Sequence, residues 1–283
     1  MEPLTTSRTS APSTHSRQRR TARSAGFTLT EMLVVVVVIV ALAAILVPLV
    51  VSSYRRAADV RSAADLQAIS LALDAYRSDH GDLPRIGIAR GTTGAEVLLH
   101  ALIGPGDATI DGANGPGFRL RAGRGQVYGP YLEADRFQIE VTTPPLGIYA
   151  RQSGSEDLGR RVIQYYAALP VAPNLTDPGA YVGVPTATVK PLYNHADNAP
   201  GGTPLYGNDG LSLEHMRRIL GDTNANGQID TGETPSHTGP YLLWAAGRDG
   251  RFGLVETDPG ATGSPVHTDD ITNFQIPLDL ARN

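Results

Sequence analysis

An uninterrupted apolar segment near the N-terminus constrains the fold of this chain more than any other feature. It runs from Met32 to Val51, and Glu31 immediately precedes it. A transmembrane helix needs roughly 20 apolar residues, whereas the apolar part of a secretory signal is about half as long and precedes its cleavage site. Here the small residue suited to cleavage, Gly26, stands before the segment. Cleavage after Gly26 therefore leaves a membrane-length apolar helix at the N-terminus of the mature protein.

The residues ahead of this segment predict its orientation. The leader, residues 1–26, contains five arginines and one acidic residue and has no apolar periodicity, as expected of a disordered leader. Under the positive-inside rule the leader stays in the cytoplasm, so the rest of the chain crosses the membrane. Without the leader the net charge changes from −4 to about −8, which argues against a nucleic-acid partner and suits calcium.

The carboxylate of Glu31 needs a partner if it enters the membrane. A carboxylate within a bilayer-spanning segment costs about 2.5–3.5 kcal/mol on insertion scales, so we expect it to be paired or to lie near an interface. Cleavage after Gly26 creates an ammonium group on Phe27, which a staggered neighbouring subunit can present to Glu31. The alternative is a plain membrane anchor in which Glu31 lies at the level of the lipid headgroups.

These N-terminal residues resemble the class III signal of type IV prepilins and type II secretion prepseudopilins. The resemblance implies that Gly26 precedes the scissile bond, that Phe27 becomes an N-methylated terminus and that Glu31 is the fifth residue of the mature chain. Pro48 then stands at mature position 22, where these proteins often carry a helix-bending proline, and we expect it to bend or locally melt the helix. The implied partners are a prepilin peptidase, the inner-membrane platform and ATPase of the secretion machinery, further copies of the chain and other pseudopilins.

The helix is expected to continue beyond the membrane, because Tyr54–Asp79 contains no glycine or proline. Apolar residues recur in this stretch at spacings of three and four: Leu66, Ile69, Leu73 and Tyr76. Gly81 and Pro84 are typical signals for the end of a helix. A second, short amphipathic helix is predicted over Gly94–Ile103, with its leucines covering one face of a sheet.

The rest of the chain is rich in glycine and proline and predicts short antiparallel strands joined by long loops. The strand-like runs are Phe137–Val141, Val162–Ala167 and Tyr241–Trp244. We therefore predict an α+β fold in which a long N-terminal transmembrane-plus-periplasmic helix packs on a small antiparallel sheet, as in pilins, with a loop-rich calcium-binding C-terminal region. The predicted boundaries are 1–26 for a cleaved leader, 27–52 for the transmembrane and assembly helix, 53–80 for its periplasmic continuation, and 81–283 for the head, with an insertion at roughly 104–240 and a calcium loop at roughly 244–274.

Residues 222–233, DTNANGQIDTGE, match the calcium loop of an EF-hand. Oxygen-bearing side chains occupy positions 1, 3, 5, 9 and 12, glycine at position 6 permits the sharp turn, and position 7 offers its carbonyl. The predicted ligands are Asp222, Asn224, Asn226, Gln228 through its backbone, Asp230 and Glu233. We expect Leu213–Leu220 to form the incoming helix, whereas Pro235 and Gly239 disfavour an outgoing one. The alternative is a polar loop of Asx-turns that holds no ion.

The segments Trp244–Gly253 and Asp269–Phe274 resemble the C-terminal signature of the major pseudopilins, which folds around one calcium ion. The resemblance implies side-chain ligands at Asp249, Asp269 and Asp270 and a backbone ligand at Ala246. Three converging carboxylates repel one another unless a cation lies between them, so such a loop should be ordered only with metal. Phe274 stands where the family has tryptophan, and the alternative is that these aspartates are scattered and solvated.

The chain contains no cysteine, although the predicted compartment is oxidising. Many type IV pilins close their C-terminal region with a disulfide where major pseudopilins use calcium, so this absence favours the second group. No nucleophile, general base or phosphate-binding loop was recognised, and we do not expect an enzyme. The leading expectation is a structural subunit of a type II secretion pseudopilus that drives protein export, held in the bacterial inner membrane by a single pass with its head in the periplasm. The alternatives are a type IV pilin or minor pilin, acting in adhesion, motility or DNA uptake, and a membrane-anchored calcium-dependent binding module.

Overall fold

The computed structural model describes residues 27–87, 89, 91–104, 116–121, 123–150, 161–169, 181–183, 192–224, 226, 232–256 and 266–277. The chain forms two compact units, residues 1–50 and residues 51–283. The leader, residues 1–26, and two of the predicted EF-hand ligands, Gln228 and Asp230, lie outside the described residues.

The first helix, α1, spans Leu29–His80. Within residues 29–50 its apolar side chains are exposed on all sides. Among the described residues α1 is the one helix that is long and apolar enough to cross a membrane, judged by length and composition. The sequence predicts a bend or local melting at Pro48; the helix is continuous there, so it does not melt at this proline. It ends where the sequence predicts, at Gly81, whose positive φ of 79° suits a glycine after a helix C-terminus.

In the unit formed by residues 51–283, α1 lies against a second helix, α2, which spans Gly94–Leu102. The predicted apolar stripe of α1 is buried: Leu66, Ile69, Leu73 and Tyr76. Thr93 caps α2, since its hydroxyl accepts a hydrogen bond from Glu96 N at 3.3 Å. The leucines of α2 are fully buried in the same core, as predicted: Leu98, Leu99 and Leu102.

The central sheet has three antiparallel strands, in the order β3, β6, β9. These strands are β3, Gln164–Ala167; β6, Tyr241–Ala245; and β9, Ile271–Thr272. Three further antiparallel pairs are described: β1, Gln138–Glu140, with β2, Gly147–Tyr149; β4, Tyr181–Gly183, with β5, Leu192–Asn194; and β7, Val255–Glu256, with β8, Val266–His267. The sheet and its neighbours confirm mixed helix and strand content with a small antiparallel sheet.

Successive side chains on a strand point to opposite faces of its sheet. All residues of β3 and β6 are buried, so both faces of the central sheet are covered along these two strands. On one face Tyr165 and Leu243 pack in the core of α1 and α2. On the other face Trp244 packs with a third helix, α3, which spans Leu213–Leu220 and ends at Gly221 with a φ of 108°. The region 104–240 supplies strand β3 and the helix that covers the second face of the sheet.

Candidate functional site

Glu31 lies in the first turn of α1 and takes part in the cap of its N-terminus. Its Oε2 accepts hydrogen bonds from the backbone N and the hydroxyl of Thr28, both at 3.0 Å, and its own N donates to Thr28 Oγ1 at 3.2 Å. This reciprocal arrangement is a capping box, which satisfies two of the unpaired N–H groups at a helix start. The Thr-x-x-Glu spacing that signals it is present in the sequence, but our sequence interpretation of Glu31 did not use it. Glu31 thus has a local partner as well as the intersubunit partner that the sequence predicts.

The predicted cleavage position is only partly described. Gly26 lies outside the described residues, whereas Phe27 is described and is 76% exposed. Phe27 and Thr28 precede the first helical residue, Leu29, so the backbone is not yet helical next to the predicted scissile bond.

Asp270 organises the loop that follows β6. Its Oδ2 accepts hydrogen bonds from Trp244 Nε1 at 2.8 Å and Gly253 N at 2.6 Å, and its Oδ1 accepts one from Gly247 N at 3.1 Å. Burial raises the pKa of Asp270 to about 8, and hydrogen bonds from Gly253, Trp244 and Thr268 oppose that shift because they favour the ionised form. Asp270, predicted as a metal ligand, therefore directs both oxygens at N–H groups of β6 and of the loop that follows it.

Asp249, in the loop after β6, and Asp269, in the segment between β8 and β9, are brought together and are both half-buried. Asp269 Oδ2 accepts a hydrogen bond from Arg248 N at 2.8 Å, and Asp249 Oδ1 accepts one from Arg251 N at 2.9 Å. Their carboxyl groups lie within hydrogen-bonding reach of each other. Burial raises the pKa of Asp249, and the negative charge of Asp269 adds to that increase. Two carboxyl groups in such proximity favour either a shared proton or a cation between them.

Gly247 is required where the two aspartates meet the end of β6. A Cβ atom at this position would clash with the carboxylate and the backbone oxygen of Asp269. Ala246, predicted as a backbone ligand, is buried immediately before it. The loop then turns at Gly250, whose N donates to Gly247 O at 3.1 Å. The turn brings Asp249 back towards Asp269.

Two sets of ion pairs that the sequence did not predict hold this loop in place. The guanidinium of Arg248 pairs with Asp59 on α1. On the other side, Arg161 Nε donates to Gly250 O at 2.9 Å, and Asp209 pairs with both Arg161 and Arg251 at 3.1 Å. These partners lie 42 to 189 residues apart, so no local spacing could have indicated them.

The described part of the EF-hand-like loop is closed by its last predicted ligand. Glu233 Oε1 accepts hydrogen bonds from Thr223 N at 2.8 Å and Asn224 N at 3.2 Å. Asn226 N donates to Asp222 Oδ1 at 3.1 Å, and Asp222 is fully buried. The predicted incoming helix is present as α3, and residues 232–240 contain no helix. The structure thus brings Glu233, at the last position of the loop, against its second and third positions.

No three acidic or histidine side chains within the described ranges are arranged so as to hold a metal ion. The donor chemistry that fits calcium best is the oxygen pair of Asp249 and Asp269, with the backbone of Ala246 close in sequence. Comparison with known proteins adds nothing to this picture: no family model, no curated protein and no solved structure matches the chain.

Proposed function

We propose that the chain is a prepilin-type structural subunit, assembled into a type II secretion pseudopilus that drives protein export. The observation that carries the proposal is that α1 has an exposed apolar part and a part buried in a folded core. Its residues 29–50 present apolar side chains on all sides, which only lipid or the helices of other subunits can cover. Its later residues, from Leu66 to Tyr76, form the core of a folded head. A single helix that joins an exposed apolar segment to a folded head suits a subunit that leaves the bilayer and packs into a filament.

In the proposed mechanism, prepilin peptidase cleaves after Gly26 and the Phe27 amine is methylated, which keeps its positive charge. The mature subunits then pack their apolar helices in the filament, and Glu31 of one subunit pairs with the Phe27 ammonium of the next. That pairing sets the axial register, because an unpaired carboxylate among apolar helices is costly. Other pseudopilins, the inner-membrane platform and the cytoplasmic ATPase of the machinery are the proposed partners.

The cleavage step can be tested by intact mass spectrometry of the membrane fraction. The mature chain is expected to begin at Phe27 and to carry one added methyl group. A Gly26→Val variant, in which the residue before the scissile bond is no longer small, should retain residues 1–26. If the wild-type chain also retains residues 1–26 in cells that contain a prepilin peptidase, the proposed function is lost.

Calcium is proposed to stabilise the head at the Asp249–Asp269 loop and at residues 222–233. For the full chain in detergent micelles, saturating calcium is expected to raise the melting midpoint by roughly 5–10 °C, and a chelator should reverse the change. Asp249→Asn and Asp269→Asn should each remove most of the effect of the first site, and Glu233→Gln that of the second.

Asp135→Asn, which changes an exposed aspartate on the 3-10 helix Ala134–Arg136, is the matched control and should respond to calcium like the wild type. Magnesium serves as a second control, since its demand for octahedral geometry suits these loops less well. A midpoint that neither calcium nor the chelator moves would remove the metal from the proposal.

A type IV pilin or minor pilin is the second candidate, and the size of the head favours it. Region 104–240 adds strand pairs and helix α3 beyond what the contact between α1 and a sheet requires. Deleting the genes of the type II secretion machinery or of the pilus machinery, and asking which deletion abolishes function, distinguishes the two candidates. A pseudopilin needs the secretin, platform and ATPase of type II secretion for its function, whereas a pilin needs those of a pilus. The third candidate, a membrane-anchored calcium-dependent binding module, does not polymerise.

A further inference from the structure

A cavity of about 370 Å³ lies within the unit formed by residues 51–283. It is bounded by the segment after α1, the start of α2, strand β3 and the end of β5. Most of its wall is apolar and comes from Ile86, Val97, Tyr165, Ala167 and Leu169. The polar groups at its wall are Arg85, Asn194 and Asp197. A cavity of this size, with apolar walls and a few convergent polar groups, has the properties of a small-ligand site.

The positive charge of Arg85 is already balanced. Its Nε and Nη2 each lie 3.3 Å from a carboxylate oxygen of Asp82, and its Nη1 donates to the backbone oxygen of Ala168. Its guanidinium is therefore engaged on two sides, and the Arg85–Asp82 pair as a whole carries no net charge.

Asp197 supplies the remaining charge. It lies on the 3-10 helix His195–Asn198, where it is partly buried and receives a hydrogen bond from the side chain of Asn194. Burial raises the pKa of Asp197 to about 7, and Arg85 opposes this increase. Because Asp82 already balances Arg85, ionisation of Asp197 leaves one negative charge beside apolar walls.

We propose that this cavity binds a guanidinium or ammonium group carried on an apolar stem. The cation pairs with the carboxylate of Asp197, while the stem packs against Val97, Tyr165 and Leu169. A charge-assisted hydrogen bond of this kind is stronger than one between neutral groups, especially away from water. The ligand is either a free small amine or an arginine or lysine side chain of another polypeptide. The inference does not depend on filament assembly.

The test uses the full chain in detergent micelles and isothermal titration calorimetry with three probes. Agmatine represents the free amine, Nα-acetyl-arginine amide represents a polypeptide side chain, and Nα-acetyl-norleucine amide is the uncharged control. At pH 8 at least one cationic probe should bind at least about tenfold more tightly than the control. The cationic probe that binds more tightly identifies the source of the ligand.

Asp197→Asn should weaken binding of the cationic probes at least about tenfold, with little change for the uncharged one. The matched control is Asp209→Asn, which changes an aspartate that pairs with Arg161 and Arg251 outside the cavity and should leave binding unchanged. Ala167→Leu, which fills the cavity and retains Asp197, should weaken binding as well. For wild type, affinity should rise from pH 6 to pH 8, because the raised pKa of Asp197, about 7, lies in that range and its carboxylate form binds the cation. The charged and titratable groups that interact with this carboxyl are Arg85, Tyr165 and Tyr166.

The melting midpoint shows that each variant is folded. Asp197→Asn should melt at the same or a higher temperature than wild type at pH 8. Because the pKa of Asp197 is raised in the folded state, the wild-type fold becomes less stable as the pH rises through that pKa, and asparagine avoids this loss. Three results would overturn the proposal: equal binding of charged and uncharged probes, unchanged binding after both Asp197→Asn and Ala167→Leu, or no binding of any probe at concentrations of about 10 mM.

Discussion

Replacing Asp270 by alanine is expected to lower the free energy of unfolding by roughly 3–5 kcal/mol. The substitution removes the acceptor of three N–H groups, those of Trp244, Gly247 and Gly253, in a buried position. Each buried donor left without a partner costs about 1–3 kcal/mol, and relief of the desolvated charge offsets part of the total. Urea unfolding of the full chain in micelles, followed by the fluorescence of Trp244, measures the loss.

The control for Asp270 is its neighbour in the sequence. Asp269→Ala, measured with a chelator present, should cost less than about 1 kcal/mol because Asp269 is only partly buried and accepts one backbone hydrogen bond. The chelator ensures that neither variant loses stability through a bound ion. Equal losses for the two variants would show that Asp270 does not organise the loop.

Replacing Glu31 by glutamine is expected to reduce incorporation into filaments at least about tenfold, because the loss of charge removes the pairing with the Phe27 ammonium. Glutamine retains the oxygen that a capping box needs, so the start of α1 should be preserved. Incorporation is measured by immunoblot of sheared filaments from cells that carry the complete assembly machinery. Membrane insertion of the variant should be unchanged.

Thr28→Val separates the two roles of Glu31. It removes the hydroxyl that bonds Glu31 and retains the carboxylate, so filaments should still form. Equal loss of assembly in Thr28→Val and Glu31→Gln would assign the effect to capping. Normal assembly in Glu31→Gln, or a functional protein that never forms filaments, would favour the membrane-anchored binding module.

The elements defined by local pattern were predictable. The stripe from Leu66 to Tyr76 repeats with the helical period, so its burial in α1 could be predicted without knowing what covers it. Gly81 ends α1, and α2 begins at Gly94 as the sequence indicates. Strand β6 was found to within one residue of its predicted end, because a run of apolar residues that follows Pro240 indicates a buried strand.

The sheet's second face was not predictable in the same way. Trp244 and Leu243 are adjacent in β6, yet they belong to different cores because alternate side chains point to opposite faces. Which residues cover each face depends on where α3 returns to the sheet. The strand at Val162–Ala167 and the helix at Leu213–Leu220 could each be predicted locally, but not that they pack on the same sheet.

Some features of the candidate sites could be predicted from the sequence, and others depend on the tertiary structure. Three features follow from the sequence alone: the membrane-length apolar segment, the position of Glu31 before it, and the acidic C-terminal segments. Each is defined by composition or by spacing within a few residues. Only the tertiary structure decided that Asp270 faces inward to Trp244, that Asp249 meets Asp269, and that Asp197 borders a cavity. Asp270 is 26 residues from Trp244, and Asp249 is 20 residues from Asp269. Side-chain direction and burial, which no local spacing encodes, determine what each carboxylate contacts.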